Sequence, residues 1–210
     1  GRRLLPHAHP DQEAHGHPDA HAHAHRDDEE HGVARQHLVG KDGQIRLCHR
    51  DQDTEDEAND YAKKLSEMVK VPTISLRGNT DLTEFYNLHK VMEKNFPLIF
   101  SKLEKTEIEG NLLFRWAGKD PNRQGILLMG HQDVVTADEP NWEKDPFSGE
   151  IADGNIHGRG AMDCKSTVFS EFQAIEELLA EGFEPACDIY LSTSVDEEIS
   201  GEGAIKLVNY

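Results

Sequence analysis

Residues 125–133 read Gly125-Ile126-Leu127-Leu128-Met129-Gly130-His131-Gln132-Asp133. The apolar run Ile126–Met129 is short, unbroken and bounded by glycines, which suits a strand covered on both faces, as in a mainly parallel sheet. It ends at once on an imidazole and a carboxylate. In open α/β sheets, ligand sites collect at the C-terminal ends of strands, so this junction of core and chemistry points to an α/β fold with a polar site on its rim.

Working outward, Val168, Phe169, Phe172, Ile175, Leu178 and Leu179 form the apolar stripe of a long helix that closes near Gly182. Cys187–Val195 is a second strand candidate, and it runs into Asp196-Glu197-Glu198. Upstream, Asn111–Trp116 reads as a strand and Gly118–Asn122 as a turn cluster. Thr54 and Glu57 have the spacing of a capping box, and Ala58, Tyr61, Ala62, Leu65, Met68 and Val69 recur at helical spacing until Pro72. A further helix follows Asp81, with Leu82, Phe85, Leu88 and Met92 on one side, and ends at Pro97. The fold class expected is α/β: a mainly parallel or mixed sheet flanked by helices.

The 210 residues divide by composition. Residues 1–44 alternate His with Ala, Gly, Pro and acids, as in His21-Ala22-His23-Ala24-His25, and hold almost nothing to bury, so they read as a disordered low-complexity tail before a globular part over 45–210. Clustered imidazoles chelate zinc, copper or nickel, which gives one functional alternative: a metal-buffering protein on a non-catalytic scaffold. The net charge of -18 argues against nucleic acid and anionic membrane as partners. No apolar run is long enough to cross a membrane as a helix, and the start lacks a secretory apolar core. Cys48, Cys164 and Cys187 lack the paired spacing of a structural zinc site and suit a reducing, cytoplasmic setting.

Three polar clusters each follow an apolar strand or open a helix: His131-Gln132-Asp133, Asp163 within Gly158–Lys165, and Glu197-Glu198. Zinc takes imidazole nitrogen and carboxylate oxygen, and one carboxylate bridges two ions about 3.5 to 4 Å apart, a part that suits Asp163. A lone histidine or two adjacent acids are ordinary surface chemistry. An acid at the end of a buried strand, however, costs desolvation unless a donor or cation meets it, and several converging on one rim favour a metal.

The runs Gly130-His131-Gln132-Asp133-Val134-Val135, Trp142-Glu143-Lys144-Asp145-Pro146-Phe147-Ser148-Gly149, Gly158-Arg159-Gly160-Ala161-Met162-Asp163-Cys164-Lys165 and Asp196-Glu197-Glu198 follow one another in a specific order. Over roughly residues 54–210 this resembles the two-zinc metallopeptidases and acylases related to carboxypeptidase S and aminoacylase. The resemblance implies a zinc-exopeptidase-like catalytic domain that hydrolyses peptide or N-acyl-amino-acid amide bonds. It implies two Zn2+ ions, with Co2+ or Mn2+ as substitutes. His131 would bind one zinc, Glu198 the other, and Asp163 both. Asp133 would fix the tautomer of His131, and Glu197 would act as general base, taking a proton from water and returning it to the leaving amine. Lys165 is open between a motif role and a solvated lysine, whereas Cys164 and His157 read as packing residues. The family's site also uses a later carboxylate, a late histidine and a small lid domain that serves dimerisation. The resemblance therefore implies the N-terminal part of a catalytic domain, inactive by itself, within a full-length protein that has room for a homodimer through the lid.

Overall fold

A computed structural model describes residues 55–137, 140 and 142–210 in full, together with the backbone of 37–39, 45–47 and 53–54. The chain forms two compact units, residues 1–48 and 49–210. Within the first, β1 (His37–Val39) and β2 (Ile45–Leu47) pair antiparallel. The metal-buffering alternative falls on the His-rich segment, which otherwise lies outside the described residues.

The second unit opens with α1 (Asp53–Val69), α2 (Thr83–Asn95) and α3 (Pro97–Lys102). Helix α2 starts where the Asp81 carboxylate accepts the Thr83 backbone N–H (2.9 Å) and hydroxyl (2.6 Å). Pro97 both ends α2 and begins α3, since its missing N–H costs nothing in a first turn. The free N–H groups of Leu98 and Ile99 are met from a distance by Glu176 (2.8 and 2.9 Å).

Strands β3 (Glu104–Ile108) and β4 (Asn111–Trp116) form a hairpin, followed by β5 (Ile126–His131), a small hairpin of β6 (Glu150–Ala152) and β7 (Asn155–His157), α4 (Lys165–Ala180), β8 (Ile189–Ser194) and α5 (Glu202–Val208). The main sheet has the order β3-β4-β8-β5. Its first two pairings are antiparallel, and only β8 and β5 run parallel, with His131 opposite Ser194. The sheet is thus mixed. Helix α4 closes as expected: Gly182, at φ 72°, lets Phe183 N–H reach Leu178 O (2.9 Å), and Phe183 then packs edge-on against Trp116.

Helices α1 to α4 cover one face of the sheet around Leu112, Phe114 and Leu191, while α5 packs on the other against β3, β4 and β8. Phe172 of α4 is fully buried, with ring centres 5.4 Å from Phe96 and 5.7 Å from Phe114. Gly130 permits this close seating, because a Cβ there would lie 2.7 Å from Val168 Cγ2. The expectation that β5 is covered on both faces is corrected. It is an edge strand, and Leu127 and Met129, about half exposed, face an open cavity of about 410 Å³ between the sheet and α5. An apolar run records which residues avoid water, not which neighbour supplies the cover.

Truncating Phe172 to Ala removes the ring that joins α4 to β4. Large-to-small changes of this kind cost about 3–5 kcal/mol, so a urea titration followed by far-ultraviolet circular dichroism is expected to show the midpoint drop accordingly with an unchanged slope.

Candidate metal centre

His131 ends β5, and β8 beside it ends three residues before Glu197, so the parallel pairing delivers both to one rim. The pairing continues past the strands, with Gln132 N–H donating to Ser194 O (2.7 Å). On the other side of β5, Val134 N–H donates to Thr73 O (2.9 Å) and Ser75 N–H to Val134 O (3.2 Å), a short parallel bridge that brings Pro72–Ser75 alongside.

This bridge places Ser75 against Asp133. The Asp133 side chain has no exposure, and its carboxylate accepts the Ser75 hydroxyl (2.6 Å) and the backbone N–H groups of Glu197 (3.1 Å) and Glu198 (3.0 Å). Burial acts against the charged form, but hydrogen bonds from His131, Ser75 and Glu198 hold the carboxyl below its ordinary range. His131 Nδ1 lies 3.0 Å from the Asp133 carbonyl and 3.3 Å from its carboxylate. Assigned from this geometry, Nδ1 carries the proton and Nε2 is left to face the rim.

Around Nε2 stand Asp163 Oδ1 at 3.1 Å and Glu197 Oε2 at 3.7 Å, both on well-exposed side chains. Two donor sets share the imidazole: His131, Glu197 and Glu198 form one, and His131, Asp163 and Cys164 the other, each with donor atoms within 4.8 Å of one another. Cys164 also accepts the His131 backbone N–H through Sγ (3.1 Å). Burial and then the charge of Asp163 push the Glu198 carboxyl up. Burial opposes the charged form of His131, but hydrogen bonds to the Asp133 and Cys164 side chains, with their charges, raise it to about 11. Crowded carboxylates around a nitrogen and oxygen donor set are the composition that suits zinc, so the residues fit a metal on this rim.

All five residues singled out in the sequence, His131, Asp133, Asp163, Glu197 and Glu198, thus meet at one place. Ser75 was not legible, and neither was the amide of Gln132, which donates to Gly110 O and Thr193 O while its oxygen meets His89 Nε2 (2.8 Å). Lys165 is not the solvated alternative. It is fully buried, and burial pushes its ammonium down to about 7, the Glu84 charge opposing. His157 is half-buried on β7 and stands outside the cluster.

Known proteins share the fold of this mixed sheet and the sequence of its rim. Residues 127–210 belong to the family described as Peptidase family M20/M25/M40. Carboxypeptidase S of Saccharomyces cerevisiae is 40% identical over 167 residues, 72% of this chain and 29% of that protein. An N-fatty-acyl-amino acid synthase/hydrolase of Danio rerio is 38% identical over 147 residues, 67% of this chain and 28% of that protein. The chain therefore spans less than a third of the length of these relatives. Human carnosine dipeptidase 1 shares the fold, with a TM-score of 0.62 at 22% identity over 75% of this chain and 36% of that one. Among the described residues, no helix is long and apolar enough to cross a membrane.

Because the His131 imidazolium holds its second proton, beyond the one on Nδ1, up to about 11, a cation on Nε2 competes with that second proton. Zinc affinity is expected to rise by about tenfold per pH unit between pH 6 and 8 if one proton is displaced. Isothermal titration in buffers of different ionisation enthalpy measures both quantities, and an affinity independent of pH would contradict the placement of the cation at this nitrogen.

Proposed function

We propose that these residues form the front half of a two-zinc site for hydrolysis of an amide bond to an amino acid, in a peptide or an N-acyl amino acid. The observation that carries this reading is the convergence of His131 Nε2, Asp163, Glu197 and Glu198 on one rim with Asp133 behind them. The names of the two relatives have that amide class in common, and they too support the reading.

In this reading His131 and Asp163 would hold one zinc, and Glu198 and Asp163 would hold the other. When bound, the zinc pair supplies Lewis acidity and lowers the pKa of water that it holds. Asp133 keeps the His131 proton on Nδ1 and so keeps Nε2 available as a ligand. Glu197, exposed on the rim and 3.7 Å from Nε2, is placed to take the proton from the attacking water and to return it to the leaving amine. The backbone N–H of Glu197 is spent on Asp133, so its carboxylate is anchored at the base and free at the tip.

These ligands give each zinc one terminal donor and a shared bridge, fewer than the three protein ligands usual at catalytic zinc. We therefore expect no turnover by the 210 residues alone, assayed with added zinc against N-acyl amino acids and dipeptides. A longer polypeptide that adds the further ligands is expected to release free amino acid. There, Glu197→Gln should lower kcat by about 10²- to 10⁴-fold while zinc stays bound, as measured by metal analysis. Full activity in Glu197→Gln would overturn the assignment of the base, and no hydrolysis of either substrate class by the longer polypeptide would overturn the function.

A further inference from the structure

Asp163 sits in residues 158–164, a stretch with no helix or strand of its own, and its side chain is largely exposed. An acid meant to meet a cation at a fixed distance from His131 needs its backbone held by something other than secondary structure. The described contacts of this loop show what does so. Arg159 N–H donates to Pro146 O (2.7 Å), Lys165 N–H to Gly160 O (3.0 Å), and the Cys164 Sγ accepts from His131 N–H. Gly160 lies at φ 81° in a slot with no room for a side chain, since a Cβ there would come within 2.6 Å of Val134 Cγ1.

Arg159 adds a bond from Nη2 to Thr136 O (3.3 Å) and a stack on Trp142, and the buried hold is the side chain of Lys165. It follows Asp163 by two residues, opens α4 and is fully buried. Its stem runs past Gly160, and its Nζ donates to Met68 O (3.1 Å) and Val71 O (2.6 Å). Met68 is in the last turn of α1, where carbonyl oxygens lack partners within the helix and carry the negative end of the helix dipole. Among the described residues its hydrogen bonds go to these two carbonyls, so the α1 terminus is its counterpart. The same turn of chain then runs through Pro72 into Ser75, which holds Asp133. One stretch, Met68–Ser75, is therefore a common reference for Asp133, which orients His131, and for the segment that bears Asp163.

We propose that Lys165 is a positioning residue for Asp163: by fastening the start of α4 to the end of α1 it sets the distance between Asp163 and His131. The inference deepens the proposed two-zinc reading and rests on it for the effect on zinc. Its structural half, that Lys165 orders residues 158–165, stands by itself. Partners that orient metal ligands typically change affinity by about 10- to 100-fold when removed.

The test compares three variants of this chain by amide hydrogen exchange and by zinc titration. Lys165→Met keeps the stem and removes the donors. Lys165→Gln keeps two donors without charge. Phe172→Leu weakens the core about two turns further along α4. Lys165→Met is expected to lose protection at 160–165 while β4 and β8 keep theirs, and to bind zinc at least about tenfold more weakly. Lys165→Gln should recover protection and most of the affinity, and Phe172→Leu should leave both within about threefold. Wild-type protection and affinity in Lys165→Met would overturn the proposal. So would equal losses in Phe172→Leu, or no recovery in Lys165→Gln. Should Lys165→Met fail to fold, unprotected 160–165 amides in Lys165→Gln against the wild type would overturn it. If zinc binds none of the chains, the wild type included, the effect of Lys165 on zinc affinity is overturned for these 210 residues while the exchange data decide its role in ordering the loop.

Discussion

The carboxylate of Asp133 has no exposure to solvent, and a buried charge of this kind is tolerated only when donors replace the water it has lost. Its donors come from two separate stretches of chain: the Ser75 hydroxyl from the bridge beside β5, and the N–H groups of Glu197 and Glu198 from the turn after β8. The imidazole of His131 lies against the same residue. Satisfying this one side chain therefore fixes the direction of the Glu197-Glu198 turn, the seating of Pro72–Ser75 and the face that His131 presents. A shift of that turn would strip two N–H groups from the carboxylate at once. The geometry of the rim follows from the cost of leaving Asp133 bare.

The sheet makes this arrangement reachable. Since β5 and β8 are parallel neighbours, both leave the sheet at one edge, and the antiparallel β4 begins there. Side-chain amides then lace these three strand ends together. Asn111 Oδ1 accepts Val195 N–H (3.1 Å), and the fully buried Gln132 spans Gly110, Thr193 and His89. A buried amide stabilises only when its bonds are made, so these two residues tie strand register to site geometry: a slip of β5 by one residue would turn Gln132 outward and leave its partners unsatisfied.

What could be read in the sequence divides along the same line. The main helices, β4, β5 and β8 were legible because each carries a local period or an apolar run, and the five rim residues because four follow such a run and Asp163 stands just ahead of helix α4. Strand β3 carried no such signal: Glu104-Lys105-Thr106-Glu107 is a charged edge strand whose pairing is set by the β4 hairpin. Both short hairpins did carry one. Glu109-Gly110 and Asp153-Gly154 all lie at positive φ, and the Asp-Gly pair is a recognised hairpin turn. Ser75, Gln132 and the carbonyls met by Lys165 could not be read, because their partners lie 58, 61 and up to 97 residues away in the chain and only the closed fold brings them together. Sequence periodicity reports what a residue avoids, whereas these contacts depend on what it meets.

The charges on the rim show why donors of this kind favour a divalent cation. Of the four acids there, Asp133 takes the backbone N–H groups of Glu197 and Glu198, so Asp163, Glu197 and Glu198 face one another across a single imidazole. Two unit charges about 4 Å apart repel by about 4 kcal/mol at an effective dielectric near 20. Burial first and then the charge of Asp163 push the Glu198 carboxyl up, while the Asp133 and Cys164 side chains hold the His131 proton against its burial. A proton neutralises one carboxylate and occupies one lone pair, leaving the others opposed. A doubly charged ion shared by several oxygens and a nitrogen relieves the whole set at once, and it displaces protons as it does so. The crowding of like charge is thus what a cation would convert into binding energy, and it needs Asp163 held where one ion can meet both that carboxylate and His131.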